Sequence, residues 1–393
     1  MEVWFEEFLQ GFIRLMTQPL LYWSIILLFV ISIRRMKQER RRFGTRVYDI
    51  FTEGRSTWRV SLVAGFLISI FALAGGMVFT TASLLVVTGI TILLSLPLKL
   101  TWLSPAYTLG ISILLIFGIS YVPGLSFIEQ TIPGVTGVSL PGMAIILSIL
   151  LVVEGVFLMK TSSRRTFPER VPGPRGKKIG QHRVKKLALI PMVTLFPAGM
   201  IEPVADWWPL FSIGEGRYGL VMFPVLLGYE WLARAQSPKL SAIRLGRQTI
   251  AIAVVTLFIA VSSIFFPVLA AAAVLIAVLG RLAIYSIHSS REKNQPYFTE
   301  DHRGVRILGT IPGSPADEMD LLPGELIIRV NGIYVSSVNE LYEALQTNRA
   351  LTKIEVKDFQ GENRFEQRAM YEGEHHQLGL LFVQENSYEP MAQ

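Results

Sequence analysis

Apolar stretches separated by short polar segments fill the chain up to about residue 293. Most are close to the roughly 17 to 25 residues that a transmembrane helix requires, so the pattern predicts a polytopic α-helical membrane bundle over residues 1–293. The predicted spans, about nine in number, cover 19–33, 58–77, 81–98, 105–122, 141–159, 187–204, 216–233, 248–266 and 268–287. Only 17% of the residues are charged, below the roughly 25% of a typical soluble domain, which favours the same interpretation.

The first 18 residues carry an amphipathic pattern of their own. Seven apolar side chains recur at helical spacing, and Glu2, Glu6 and Glu7 fall on the other side. Two structures fit this pattern: a helix lying in the membrane interface, or the beginning of a longer first span. The seven side chains are Trp4, Phe5, Phe8, Leu9, Phe12, Ile13 and Leu15. No basic segment precedes the first apolar run and no small-residue cleavage site follows it, so a cleaved signal peptide is not expected.

Basic residues concentrate in three of the predicted loops, at 34–46, 160–186 and 234–247. Lys and Arg are enriched in the cytoplasmic loops of membrane proteins, so all three loops are predicted to be cytoplasmic. This arrangement requires an odd number of spans, with the N-terminus outside and the C-terminal region inside. Nine basic side chains are candidates for contact with anionic lipid, an acidic partner or the acidic C-terminal region: Arg34, Arg35, Arg40, Arg41, Arg42, Lys177, Lys178, Lys185 and Lys186.

Three ionisable residues, Glu154, Glu230 and Arg281, fall inside or near predicted spans. Charge is costly to bury in lipid, so such residues mark helix packing, interface anchoring or a transport pathway. Each lies near a predicted cytoplasmic end, where it can reach the interface or pair with a basic loop, and we therefore expect a packing role. A transport role is the alternative, because prolines interrupt the run at 187–204 as they do in broken transporter helices.

Beyond residue 293, the long apolar runs give way to short strands and turns. We predict a small cytoplasmic α+β domain within residues 294–393. Asn331-Gly332 indicates a hairpin turn, and residues 360–363 indicate a second turn. Residues 336–348 indicate a helix that begins with a capping box formed by Ser337 and Glu340.

The stretch GVRILGTIPGSPADEMDLLPGELIIRVNG, from Gly304 to Gly332, has a specific order of signals. A strand leads into a short helix with Ser314 as its cap and Pro315 at its first position; a Pro-Gly turn then leads into a buried strand that ends at an Asn-Gly turn. This order resembles the bacterial PDZ domain, over about 80 residues. Asp320 departs from the PDZ signature, in which most relatives carry Gly at this position. A left-handed backbone tolerates Asp less easily than Gly, so we expect a local difference in geometry.

The PDZ resemblance implies peptide binding by β-augmentation, in which an extended peptide joins a sheet edge beside a helix and a loop of backbone N–H groups receives its carboxylate. The implied loop and start of the ligand strand are Leu378, Gly379, Leu380 and Leu381, and the implied helix contributes Val338, Leu341, Tyr342 and Leu345. The same residues also fit a plain packing role, since an alternating apolar strand is core in any small sheet.

Residues suited to catalysis or metal binding are sparse. The chain has no Cys, which excludes disulfides, thiol nucleophiles and Cys-based metal sites. No H-E-x-x-H or Walker A sequence occurs, and the PDZ signature accounts for Ser314. We therefore predict a non-enzymatic protein without a cofactor or metal, and without a nucleic-acid partner, because the basic runs flank membrane spans. The five histidines are His182, His288, His302, His375 and His376.

The whole pattern, a multi-span bundle with strongly basic loops and one C-terminal PDZ domain, is similar to the MinJ family of division-site determinants in rod-shaped Gram-positive bacteria. The resemblance implies a membrane adaptor, enriched at the division septum and poles. Such an adaptor bridges the polar scaffold DivIVA to the membrane ATPase MinD, which carries the inhibitor MinC, and meets further divisome proteins. Two other classes fit the residues: a membrane-anchored PDZ adaptor of a protease or stress-signalling pathway and, less readily, a transporter.

Overall fold

The computed structural model describes residues 2–44, 47–55, 57–162, 166–173, 176–211, 216–348, 350–370 and 378–383. It contains a mainly helical part that ends near residue 291 and a small C-terminal part of short strands and helices. The predicted fold class, an α-helical membrane bundle with a small α+β domain, is confirmed.

The described elements follow one another in this order. The α-helices are α1 (Glu2–Met16), α2 (Pro19–Phe43), α3 (Thr52–Arg55), α4 (Trp58–Ala74), α5 (Thr81–Ser95), α6 (Pro105–Tyr121), α7 (Ser126–Thr131), α8 (Leu140–Met159), α9 (Pro238–Ser262), α10 (Val268–Arg291), α11 (Pro315–Glu318) and α12 (Val338–Gln346). The strands are β1 (Phe167–Pro172), β2 (Lys178–Ile201), β3 (Tyr218–Ala233), β4 (Val305–Arg306), β5 (Gly309–Thr310), β6 (Leu326–Val330), β7 (Ile333–Tyr334), β8 (Leu351–Lys357), β9 (Asn363–Ala369) and β10 (Leu380–Leu381). Short 3-10 helices cover Leu100–Leu103 and Pro123–Leu125.

Among the described helices, α2, α8, α9 and α10 are long and apolar enough to cross a membrane, and α4, α5 and α6 are shorter apolar helices. Each coincides with a predicted span. α8 is the most deeply buried of the four long helices, with 72% of its most apolar window inside the protein. A helix that is apolar all round suits such a central position.

The two predicted helical spans at 187–204 and 216–233 are wrong, because both stretches form β-strands. β2 and β3 pair as an antiparallel hairpin, from His182 opposite Ala233 to Phe196 opposite Gly219. A strand buried on both faces shows no polar alternation, so an apolar run does not by itself distinguish it from a helix. The prolines within both runs disfavour a helix, since proline lacks a hydrogen-bond donor and clashes with the preceding turn.

Pro191 and Pro224 lie directly opposite each other in this hairpin. In an antiparallel pair, opposite residues either bond to each other or both direct their backbone groups outward. Proline has no N–H group, so this pair suits an outward-facing position and removes a donor from each edge of the hairpin. Fewer edge donors then need a partner, which matters because a buried strand edge has no water to bond to.

Helix α4 covers the outer edge of β2 and supplies hydrogen bonds to it. Ser69 Oγ accepts from the backbone N–H of Val193 (2.8 Å), and Thr57 Oγ1 donates to the carbonyl oxygen of Leu187 (2.8 Å). Gly65 lies between these contacts, and a Cβ placed there would be 2.3 Å from a carbonyl oxygen of β2. The edge of the hairpin is therefore protected by a helix that approaches its backbone closely.

Helix α1 is separate from α2 and covers the edge of β3. Glu7, only 1% exposed, accepts from the backbone N–H groups of Met200 (2.9 Å) and Leu220 (3.3 Å). Arg14 donates to the carbonyl oxygen of Leu220 (2.6 Å) and lies 3.6 Å from the Glu7 carboxylate. Of the two predicted alternatives, the structure has a distinct first helix, and its exposed side chains include Phe5, Phe8, Leu9, Phe12 and Ile13.

Each ionisable residue singled out in the predicted spans has a packing partner. Arg281 of α10 places Nη2 2.7 Å and Nε 3.0 Å from Glu154 Oε1 on α8, and their side chains are 5% and 0% exposed. Ser104 Oγ donates to Glu154 Oε2 at 2.5 Å. Glu230 pairs instead with Arg183 on the neighbouring strand, at 3.0 Å. The first pair joins two spans, and the second joins the two strands of the hairpin.

The C-terminal domain has a sheet in the order β4-β6-β8-β9, with β7 paired to β6, and a separate ladder of β5 and β10. Helix α12 packs between these ladders in a common apolar core. Ser314 and Ser337 cap α11 and α12, each side chain accepting a backbone N–H three residues on. Asp320 adopts a φ of +59°, so the left-handed backbone is kept and the expected local difference is wrong.

Candidate functional site

The residues assigned to the peptide groove lie on one loop, one strand and one helix that pack together. Five of their apolar side chains are buried in the core of the C-terminal domain, and Tyr342 packs against that core half-buried. The five are Val338, Leu341, Leu345, Leu378 and Leu380. Their side chains thus have the packing role foreseen as the alternative. What a peptide would use is the backbone edge of β10.

Gly379 shapes the loop before β10. Its φ is +80°, and a Cβ placed on it would lie 2.2 Å from the Ser314 side chain. Its carbonyl oxygen accepts from the N–H of Ile311 at 2.8 Å. A left-handed backbone in such a crowded position requires glycine.

One edge of β10 is paired and the other faces outward. The carbonyl oxygen of Leu381 accepts from the N–H of Leu308 (2.8 Å) on the β5 side. The alternation of an antiparallel ladder then turns the backbone groups of Leu380 and Phe382 to the opposite edge, the one that β-augmentation uses. There, Arg170 Nε of β1 donates to the carbonyl oxygen of Phe382 at 2.8 Å. A peptide that paired along the whole edge would have to displace Arg170.

The face of β10 that points away from the domain core packs on a ribbon, which we define as β1 together with residues 178–183 of β2. Leu381 is the groove residue whose side chain points to this face. Two apolar clusters hold this face against the ribbon residue Phe167, the end of α2 and the segment after α10. The first joins Leu381 with Phe43, Val47, Tyr48, Phe167 and Ile311, and the second joins Val383 with Phe43, Tyr297, Phe298 and Leu308. The C-terminal domain is therefore docked against the membrane bundle through its candidate ligand strand.

His182 is a fully buried polar contact between the ribbon and the domain. Its Nε2 lies 2.7 Å from the carbonyl oxygen of Leu308, and its Nδ1 lies 2.7 Å from Thr166 Oγ1. A carbonyl only accepts, so Nε2 carries the proton and Nδ1 accepts from the hydroxyl. Burial lowers the pKa of His182 to about 4, which keeps the ring neutral at physiological pH.

We expect Gly180→Leu to release the domain from the ribbon. A Cβ at Gly180 would lie 2.4 Å from Leu308 Cδ1 and 2.8 Å from Phe298 Cβ, so a longer side chain has no room while the domain is docked. Overpacking costs about 1–3 kcal/mol, or roughly 5- to 150-fold in the docking equilibrium. The matched control is Lys177→Leu, which adds the same side chain at an exposed position directly before the second ribbon strand.

Docking is measurable by disulfide formation, because the chain has no natural Cys. A Cβ at Gly309 would be 3.4 Å from Pro168 Cβ, close to the roughly 3.5–4.5 Å of a disulfide. Pro168→Cys combined with Gly309→Cys should cross-link readily, and Gly180→Leu should slow this reaction while Lys177→Leu does not. Equal cross-linking rates in all backgrounds would contradict the docked arrangement.

Two of the nine basic residues proposed to contact lipid or a partner are not at the surface. Arg35 is 6% exposed and lies 2.6 Å from both Glu39 and Glu53. Lys186 is 1% exposed, with Nζ 3.3 Å from the carbonyl oxygen of Thr52. Both residues are buried cations, and hydrogen-bond acceptors inside the protein replace the water that they lose on burial.

The other seven basic candidates are exposed or half-exposed. Arg34, Arg40, Arg41, Arg42, Lys177, Lys178 and Lys185 belong to this set. Arg42 pairs with Glu169 of β1 (2.9 Å), and Lys185 lies 3.4 Å from Glu230. The stretch at 34–43 is the continuation of α2 rather than a loop, so its side chains radiate from a helix.

Within the residues that the structure describes, no group of three or more His, Asp or Glu side chains could hold a metal ion. His182 and His288 each bond to a backbone carbonyl. His375 and His376 lie outside the described residues.

The ribbon is the part of this site that the sequence analysis missed, since it treated 160–186 as a basic loop. A local signal exists in FPERVPGPRGKKIGQHRV, where a Pro-Gly-rich centre separates two segments that mix apolar and charged residues. Such a centre between two short runs is typical of a hairpin. The basic residues of the same stretch instead led to the prediction of a cytoplasmic loop.

Comparisons with known proteins agree on both parts of the chain. The family described as PDZ domain matches residues 306–358, which stops short of the loop and strand at 378–381. The chain is 33% identical over 384 residues to the cell division topological determinant MinJ of Bacillus subtilis (strain 168), covering 98% of this chain and 96% of that protein. It is 24% identical over 382 residues to the probable cell division topological determinants MinJ of Lacticaseibacillus paracasei and Lacticaseibacillus casei (strain BD-II), covering 94% of this chain and 96% of each. No solved structure matches the chain.

Proposed function

This chain belongs to the MinJ family of cell division topological determinants, and we propose that it is a non-enzymatic membrane adaptor for division-site placement. In its specific form, the proposal is that the protein bridges a polar or septal scaffold of the DivIVA type to a membrane ATPase of the MinD type, which carries the inhibitor MinC. Further divisome proteins are additional partners. The observation that carries the proposal is a PDZ domain held by the ribbon against a membrane bundle.

An adaptor needs separate binding surfaces on one anchored chain. The first is the outward edge of β10, where the backbone of Leu380 and Phe382 is aligned for an added strand. The second is the exposed basic surface on the last turns of α2 and at the ribbon, which suits acidic partners and anionic lipid. The docked geometry supports a role in which both surfaces are presented together at the membrane.

The proposed topology has the N-terminus outside the cell and the PDZ domain in the cytoplasm. The protein is proposed to lie in the cell membrane and to be enriched at septa and poles. The two strands of the hairpin replace two of the predicted helical spans. A hairpin begins and ends on the same side of the bundle, so the number of membrane crossings stays odd. The basic end of α2 contacts the ribbon through Arg42 and Glu169, so the basic residues and the PDZ domain share one side of the bundle. The positive-inside tendency supports the cytoplasm for that side.

Live-cell imaging of fluorescent fusions in a rod-shaped host tests the proposal. We expect the full chain to form bands at septa and caps at poles, and deletion of its gene to give filaments and minicells. The informative variants are a truncation after residue 293 and the undocked Gly180→Leu chain, with Lys177→Leu as the matched control. Bands in the truncation would assign targeting to the bundle. Loss in both the truncation and Gly180→Leu would assign targeting to the docked PDZ domain.

A uniform membrane signal from the full chain, together with normal division in the deletion strain, would overturn the proposal. The adaptor of a protease or stress-signalling pathway would then be the class to examine, through the stability of its client proteins. Substrate-dependent flux would identify a transporter.

A further inference from the structure

A cavity of about 310 Å³ lies where the ends of β3, α10 and the 3-10 helix Leu100–Leu103 meet. Its volume is within the roughly 300–1,000 Å³ of ligand pockets. It is on the side of the bundle that carries the PDZ domain, and it is separate from the groove. Its walls include four cationic side chains and two carboxylates: Lys99, Arg183, Arg234, Lys293, Glu230 and Glu292.

Two buried N–H groups in the wall of this cavity have no hydrogen-bond partner among the described residues. They are Nε1 of Trp231 and Nε of Arg234. Trp231 is only 4% exposed, so bulk water does not satisfy its indole. Buried donors in native proteins are nearly always paired, and both of these groups can only donate. An acceptor bound in the cavity that both residues line would supply the partner that these donors lack.

The two carboxylates do not serve as that acceptor, because each is already engaged. Glu292 Oε2 accepts from the backbone N–H groups of Arg234 (2.6 Å) and Ala235 (2.7 Å). Glu230 Oε1 lies 3.0 Å from Arg183 on the neighbouring strand. Both acidic groups of the wall thus already accept hydrogen bonds from other donors, and Glu230 is also paired with Arg183.

Three cations remain with no carboxylate in ion-pair distance within the described part of the chain: Lys99, Arg234 and Lys293. Lys99 lies 5.8 Å from the ring centroid of a tryptophan, a contact that leaves its donors available. His288 also lines the cavity, but its Nε2 bonds to the Leu232 carbonyl oxygen at 2.8 Å. The cavity therefore combines a positive field with two unpaired directional donors.

We propose that this cavity is a binding site for a phosphate group, either the phosphodiester of an anionic lipid headgroup or free phosphate. A phosphate offers several acceptor oxygens, which can meet the indole and guanidinium donors while the two lysines supply charge. The last turns of α10, a helix long enough to cross a membrane, line the cavity, which supports a position near the lipid headgroups. The proposal concerns this chain's own residues and stands independently of the division role.

The test uses the purified full chain in two arms. In the first, protein in nanodiscs of phosphatidylcholine alone is titrated calorimetrically with inorganic phosphate. In the second, phosphatidylglycerol that remains bound after detergent extraction is counted by native mass spectrometry. Trp231→Phe removes one donor and keeps an aromatic ring, Arg234→Gln removes the half-buried guanidinium with its buried Nε–H, and Lys293→Gln changes an exposed rim residue. The matched control is Lys239→Gln, an equal charge change at an exposed position outside the cavity wall.

We expect wild-type protein and Lys239→Gln to bind alike in at least one arm. Arg234→Gln should weaken that binding about tenfold or more, as loss of a hydrogen bond to a charged group does, and Trp231→Phe and Lys293→Gln should weaken it less. An effect in the second arm alone identifies a lipid headgroup, and an effect in the first alone identifies free phosphate. Equal binding by all five proteins, or no binding by any, would overturn the site. Because Lys293→Gln is a surface change, it keeps the test valid if Arg234→Gln does not fold.

Discussion

Arg281→Met is expected to destabilise the folded protein by about 3–5 kcal/mol, the range for removing one partner of a buried ion pair. Glu154 is fully buried and, among the described residues, would keep the Ser104 hydroxyl as its one hydrogen-bond partner. Methionine preserves much of the length of the side chain, so the loss reports the charge rather than a cavity. The measurement is the temperature at which half of the purified protein, in one fixed detergent, no longer elutes as a monodisperse species.

Two variants control this experiment. Arg291→Met makes the same substitution at an exposed position on the same helix and should shift stability by no more than about 0.5 kcal/mol. Glu154→Leu combined with Arg281→Met removes both charges and should recover most of the stability, because the large cost belongs to an uncompensated charge. If Arg281→Met melted like the wild type, the pair would not be what joins α8 to α10.

The second large effect is expected from Gly65→Ala. A Cβ there would be 2.3 Å from the Pro191 carbonyl oxygen and 3.1 Å from its Cδ, both rigid groups of a buried strand. The helix cannot simply move away, because Thr57 and Ser69 hydrogen-bond to the same strand on either side of the contact. We expect a loss of about 1–3 kcal/mol, as for other overpacked positions.

Gly89→Ala is the matched control, since it makes the same change within another membrane helix. Among the described residues, no atom from outside the adjoining turns of its own helix lies within 4 Å of a Cβ placed at Gly89. Alanine is favoured over glycine inside a helix by up to about 1 kcal/mol, so this variant should be neutral or more stable. The same melting assay compares the two. Equal stability of both variants would show that α4 and β2 can separate at little cost, contrary to the close approach described here.

The local features of the C-terminal domain were predictable because their causes lie within a few residues. A Ser before a helix accepts a backbone N–H three residues on, and an Asn-Gly pair forms a hairpin turn; Ser314, Ser337 and Asn331 do so here. Asp320 shows the limit of this reasoning. Its side chain disfavours a positive φ, yet the surrounding fold imposes one, and Arg364 bonds to its carbonyl oxygen (3.0 Å).

The helical spans were predictable in the same way, whereas the hairpin and the ribbon were not. An apolar run predicts that a segment is buried. Whether that segment forms a helix or a strand depends on the elements that pack against it. For β2 those partners are α4 and β3, whose contacting residues lie far along the chain, as in the bond from Thr57 to Leu187. Arg35 and Lys186 were misjudged for a related reason: their acceptors are non-local or follow a turn, so charge alone indicated exposure.

β2 runs without a break from Lys178 to Ile201, so one strand belongs both to the ribbon that holds the PDZ domain and to the hairpin inside the bundle. At about 3.3 Å per residue its 24 residues span at most roughly 80 Å, and a register irregularity between Phe196 and Ile201 shortens this distance. The strand therefore links the orientations of the two parts. The angle between β2 and the bilayer normal also sets the orientation of the docked domain. Membrane segments tilt to match the thickness of the hydrocarbon layer. A change in the tilt of β2 is therefore expected to turn the docked PDZ domain with it.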